Sequence, residues 1–116
     1  MSFIGTVTKT ATILEAASIS DIVELNGASL IRIAMPAAWT AAAITFQVDD
    51  GDGTFRDLWM DWGWELWIDA VAARSIEMSV FFRGLHWDRI KVRSGTSGAP
   101  VAQGGDREIG IVVGVK

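Results

Sequence analysis

Arg107-Glu108-Ile109-Gly110-Ile111-Val112-Val113-Gly114-Val115 is the stretch on which the fold turns. Ile109, Ile111, Val113 and Val115 recur at every second position, the period of a strand whose side chains alternate between faces. An amphipathic helix would need apolar residues three and four apart. The same period runs through the rest of the chain. Thr6, Thr8, Thr10 and Thr12 share one face, and Val7, Lys9, Ala11 and Ile13 the other. Residues 19–25 bring Ile19, Val23 and Leu25 together, with Asp21 intruding. Residues 30–35 point Ile31, Ile33 and Met35 inward and Arg32 outward, and Ile44, Phe46 and Val48 alternate with Thr45 and Gln47. Residues 55–59, 64–69, 75–79 and 87–94 complete the set.

Val, Ile and Thr make up 30 of the 116 residues, and branched side chains suit the pleat. Asn26-Gly27 is the strongest short hairpin signal. Asp49-Asp50-Gly51-Asp52-Gly53-Thr54 reads as the turn between the Phe46 and Phe55 strands. Residues 36–43 and 71–74 are alanine-rich, but too short for more than single helical turns. Residues 94–105, rich in Gly, Ser and Ala, read as an exposed, ordered loop. Eight or nine strands at this spacing predict an all-β fold, an antiparallel β-sandwich of jelly-roll-like design, in a single domain spanning residues 1–116. A small barrel is the alternative.

Composition narrows the function. The chain has no cysteine, which excludes disulfides, Cys-ligated zinc and thiol nucleophiles. Its single histidine, His86, argues against His-based metal or catalytic chemistry and reads as a packed or hydrogen-bonded side chain. Gly-x-Ser-x-Gly, Walker and dinucleotide motifs are absent, and Asp88, His86 and Ser94 do not have the spacing of a triad. The reading is therefore no enzyme and no cofactor. A net charge of −4 disfavours nucleic acid. The longest uncharged run, residues 33–48, contains Pro36 and is short for a bilayer span, so no membrane partner is expected. The first residues lack the basic and apolar blocks of a signal peptide, which predicts a protein made in the cytoplasm.

Three features could carry function. The acidic loop holds three carboxylates around two glycines, but lacks the twelfth-position Glu of an EF-hand, and turn chemistry accounts for it without a metal. Trp59, Trp62, Trp64 and Trp67 fall within nine residues. Alternation over residues 64–69 puts Trp64, Leu66 and Ile68 on one face and Trp67 on the other with Glu65 and Asp69. At least one Trp is thus expected outside the core, where it could anchor a protein interface or stack on a sugar; alternatively, loop curvature folds all four into the core edge. Third, Arg89, Lys91 and Arg93 share one face of a strand and could grip a partner's carboxylates. The competing reading is a solvated sheet face with acidic cross-strand neighbours such as Asp57 or Glu77.

Two stretches carry a resemblance. One is Met35-Pro36-Ala37-Ala38-Trp39-Thr40-Ala41-Ala42-Ala43-Ile44-Thr45-Phe46-Gln47-Val48, leading into Gly51-Asp52-Gly53-Thr54-Phe55-Arg56-Asp57-Leu58. The other runs from Ile90-Lys91-Val92-Arg93-Ser94-Gly95-Thr96 through Ala99-Pro100-Val101-Ala102-Gln103 to Asp106-Arg107. They resemble small virion-structural proteins of tailed bacteriophages and gene transfer agents, over about residues 19–113. The resemblance implies a capsid decoration or cement protein on the outer head surface, with the major capsid protein as partner and a homo-oligomer, a trimer favoured, as the working form. A head-fibre base or a tail structural protein would fit the same resemblance, and a carbohydrate-binding sandwich that holds a surface glycan for host attachment is the alternative. It transfers no catalytic residue. The stretch from Trp59 to Trp67 looks more polar in the relatives, which marks it as this chain's own interface candidate.

Overall fold

A computed structural model describes residues 5–115, and the reading of the first four residues as lacking a signal peptide lies outside them. In chain order the elements are β1 (Gly5–Ile13), β2 (Val23–Glu24), β3 (Ser29–Ala34), β4 (Ile44–Asp49), β5 (Phe55–Asp57), β6 (Trp67–Ile68), β7 (Ser75–Glu77), a one-turn helix α1 (Val80–Arg83), β8 (Arg89–Ser94) and β9 (Arg107–Val115). β9 pairs with β1 along its whole length and with β3 on its other edge. The first sheet runs β1-β9-β3-β7. The second runs β2-β8-β4-β5, with β6 also on β4. Pairing is antiparallel throughout the named strands. Strands β1 to β4 alternate between the sheets, as do β7 to β9, so the chain crosses repeatedly between the two layers of an antiparallel sandwich.

The alternation read from the sequence produces the core. Ile109, Ile111 and Val113 of β9 face Ile44, Phe46, Ile90 and Val92 of the second sheet, all buried in one cluster. Phe46 packs on Trp87 with ring centroids 5.3 Å apart. On the opposite phase of β9, Gly110 is glycine for a reason: a Cβ there would lie 2.9 Å from the Ala34 Cβ of neighbouring β3.

Several local expectations are corrected. In β3 the register slips between Leu30 and Arg32, so Ile31 is an extra residue and Leu30 joins Ile33 and Met35 in the core cluster. Asn26-Gly27 makes the expected turn, with φ of 52° and 78°, but it joins β2 and β3, which lie in different sheets; it is a crossing and not a hairpin. Of residues 19–25 only Val23–Glu24 is a strand, because the Asp21 carboxylate turns back to accept from the Thr12 N–H at 2.9 Å. Residues 36–43 and 71–74 form no helix, and among the described residues the one helical turn is α1. Among the described residues no helix is long and apolar enough to cross a membrane.

The loop of residues 94–105 is ordered, but part of it is buried. Gln103 is only 1% exposed. Its Oε1 accepts from the Thr40 N–H (2.8 Å) and Arg107 Nε (3.0 Å), and its Nε2 donates to the Thr40 carbonyl (3.0 Å) and Ser94 Oγ (2.6 Å). One amide thus ties the end of β8 and the start of β9 to the connection before β4.

Candidate functional site

Ile44, Phe46 and Val48 point into the core, so Thr45, Gln47 and Asp49 lie on the outer face of the second sheet. Residues directly opposite across antiparallel strands share a face. Thr45 opposes Arg93 and Trp67, Gln47 opposes Lys91 and Asp57, and Asp49 opposes Arg89 and Phe55. The cation row of β8 and the tryptophan of β6 therefore meet on one surface, although they are far apart in sequence.

The tryptophan segment is a hairpin that prolongs this sheet. The Leu58 N–H donates to the Phe46 carbonyl and the Leu66 N–H to the Leu58 carbonyl, each at 3.0 Å. Trp59 bridges Glu65, and Met60 to Gly63 closes the turn, with Gly63 at φ 90°, a left-handed conformation that glycine adopts freely. Trp59 opposes Glu65, and Glu65 reaches the outer-face residue Arg93, so Trp59 belongs to the same face as Trp67.

All four tryptophans are exposed: Trp59 54%, Trp62 62%, Trp64 67% and Trp67 54%. The core-edge reading is thereby overturned. Leu66 and Ile68 are buried as alternation predicts, but Trp64, expected on their side, stands clear of the sheet at the hairpin tip, directly after the Gly63 turn. Trp62 packs on Phe81 of α1, with centroids 6.3 Å apart.

The two arginines of the cation row are internally paired. Arg89 binds Asp49 and lies 3.9 Å from Glu24. Arg93 is buried, binding Asp57 and reaching Glu65 at 3.3 Å, while Glu65 also accepts from the Ser97 N–H at 3.0 Å. Lys91 sits over the Phe55 ring, 4.7 Å from its centroid, and has no ion pair among the described residues. Of the two acids expected beside the row, Asp57 is there. Glu77 lies in the first sheet, where it pairs with Arg32 and Arg83. The partners that sequence reasoning did not place are Glu65, Asp49, Gln47 and Phe55; only the positions of Asp49 and Gln47 in the β4 alternation pointed to them.

Electrostatics follow the geometry. The Arg89 guanidinium, with the Gly51 and Gly53 N–H groups, holds the Asp49 carboxyl below the usual carboxylate range, against the opposing push of burial. Asp57 is lowered chiefly by Arg93. In the acidic loop, Asp49 Oδ1 accepts from Gly51 N (2.8 Å) and Gly53 N (3.0 Å), and Asp52 accepts from Thr54 N and Arg56 Nη2. The loop's carboxylates close the β4–β5 hairpin, as its turn chemistry predicts. His86 Nδ1 lies 3.0 Å from the Gly27 carbonyl oxygen, so that nitrogen carries the proton and donates.

The arrangement is a rigid platform with three cations against three carboxylates, flanked by exposed indole rings. Such a surface offers charges that can orient a partner and apolar rings that can adhere to one. The fold defines a two-sheet antiparallel β-sandwich. It is shared with the SPBc2 prophage-derived protein YomS, whose crystal structure superposes with a TM-score of 0.50 at 14% identity over 97% of each chain. No family model and no curated protein matches the sequence.

Proposed function

We propose that this chain is a bacteriophage virion structural protein that decorates the outside of the capsid, working as a homo-oligomer with the major capsid protein as its partner. The observation that carries the reading is the exposure of Trp59 and Trp67 on a sheet face whose two arginines are already paired with its carboxylates. Covering such a face removes large apolar rings from water, and Lys91 is the cation that a partner carboxylate would meet. A fold shared with a prophage-derived protein supports it, as does the resemblance to virion-structural proteins. We read the protein as non-catalytic and free of cofactors, made in the host cytoplasm and assembled onto the head.

The test uses purified heads from a phage lacking the gene. Added protein should bind them and raise their resistance to heat, and Trp67→Ser should lose both effects while folding normally. Heads of unchanged stability that fail to adsorb to cells would replace this reading with glycan binding, the other use of an exposed indole. Tailless or unjoined particles from the deletion would place the protein at the neck or tail.

A further inference from the structure

Every named strand on a sheet edge is two or three residues long, except β1, which has nine. The Ile13 end of β1 is closed: the Thr12 N–H donates to Asp21 Oδ1 (2.9 Å) and its carbonyl accepts from the Asp21 N–H (3.2 Å). Thr12 therefore directs both backbone groups away from β9. The β1–β9 register is unbroken, so period two gives Thr6, Thr8 and Thr10 the same outward direction. Their N–H and C=O groups have no backbone partner among the described residues, and all three threonines are exposed. Val7, on the face that further along buries Ala11 and Ile13, is 40% exposed.

We propose that this open edge adds the β1 strand of a second copy of the chain, antiparallel across a two-fold axis at Thr8. The sequence is self-complementary in that register. Thr8 opposes Thr8, and Thr6 opposes Thr10, which uses all three free N–H and all three free C=O groups of each copy. These are Thr–Thr pairs on the outer face, a favourable cross-strand combination. On the other face, Val7 of each copy meets Lys9 of the other, whose aliphatic stem covers it. Lys9 is the sole charge in β1, and this register keeps the two lysines apart. Moving the axis to Lys9 sets like charges face to face, and moving it to Val7 takes Thr10 out of the threonine pairing, since only Thr6 and Thr8 then oppose each other. The contact joins the two first sheets into one eight-stranded sheet. It is independent of the tryptophan face, and its symmetry differs from the trimer that the resemblance implies.

The absence of cysteine makes the register testable. Val7 and Lys9 of opposite copies form a non-hydrogen-bonded pair, with Cα atoms about 4.5 Å apart, within disulfide range. Val7→Cys mixed with Lys9→Cys under mild oxidation should cross-link at least about tenfold faster than either variant alone. Equal rates would overturn the proposal. Sedimentation of the unmodified chain should show a concentration-dependent dimer, and a monomer up to millimolar concentration would overturn it. Thr8→Pro removes only an N–H that β9 does not use, so it should fold and weaken the dimer at least about tenfold. A folded proline variant that dimerises as well as the parent would overturn the proposal. Should proline prevent folding, Val7→Lys faces Lys9 of the second copy, and the dimer should again be lost; its persistence would count against the contact.

Discussion

The outer face of the β1–β9 ladder and that of the second sheet are built on opposite plans. On the first, Thr6, Thr8, Thr10, Gly110, Val112 and Gly114 lie together without a charge among them, and the ion pair of that sheet, Arg32 with Glu77, stands on β3 and β7. On the second, Arg89, Lys91 and Arg93 are interleaved with Asp49, Asp57 and Glu65 and bordered by Trp59, Phe55 and Trp67. The first face is specified by the space between backbones, the second by pairing of long side chains. A surface of the first kind tolerates a change of charge and resists a change of volume. A surface of the second kind does the reverse.

Breaking one pair in the second face should have the largest effect. Arg93→Met strands the nearly buried Glu65 carboxylate and leaves the more exposed Asp57 without its partner. It should cost about 3 kcal/mol in denaturant unfolding, because an unmatched buried ion is far more costly than the loss of a surface pair. Next comes the first face. Gly110→Val drives a side chain against the Ala34 Cβ and should cost about 2 kcal/mol, with no change in salt dependence. If the valine variant is as stable as the parent, shape does not specify that face.

Acid should separate the faces further. Asp49 and Asp57 have lowered folded-state pKa values, so the unfolded chain binds protons more readily. Their stabilisation is complete above the ordinary carboxylate value of about 3.9 and is lost as pH falls through the lower folded values. The melting temperature should thus drop below about pH 4. The drop should be shallower in Arg93→Met, which has already lost the Asp57 pairing, and unchanged in Gly110→Val. The smallest effect on stability is expected at the exposed rings: Trp59→Ser or Trp67→Ser should change unfolding by less than about 0.5 kcal/mol while abolishing attachment to heads. Outright unfolding of either would show that the ring supports the fold instead.

Legibility in the sequence followed the same division. Period two was enough to find β1, β4, β8 and β9, because each carries a continuous alternating run, with one face buried along β4, β8 and β9 and at Ala11 and Ile13 of β1. It fell short at β3, where Leu30 and Ile31 are both apolar and both buried, and the bulge puts Leu30, and not Ile31, into the main cluster with Ile33 and Met35. It failed at Trp64, since alternation holds only while a strand remains in the sheet, and Gly63 has just turned the chain. Clustered tryptophans could be seen to matter as a group. That Trp59 and Trp67 share a surface with Arg89, Lys91 and Arg93 depends on β4 lying between their strands, a long-range fact with no local signal. Gln103 left no trace either: a polar residue in a glycine-rich stretch reads as loop, and its burial comes from partners at Thr40 and Ser94.

The pairing of β1 with β9 also sets an order of events in the cell. β1 leaves the ribosome before β9, the strand with which it pairs along its whole length. Until β9 follows, the threonine strand lacks that partner, and the first sheet lacks the strand that joins β1 to β3. Such a topology folds slowly, since distant segments must meet before any local contact rewards them. During that interval the newly made chain is most exposed to pairing with its neighbours on the same message.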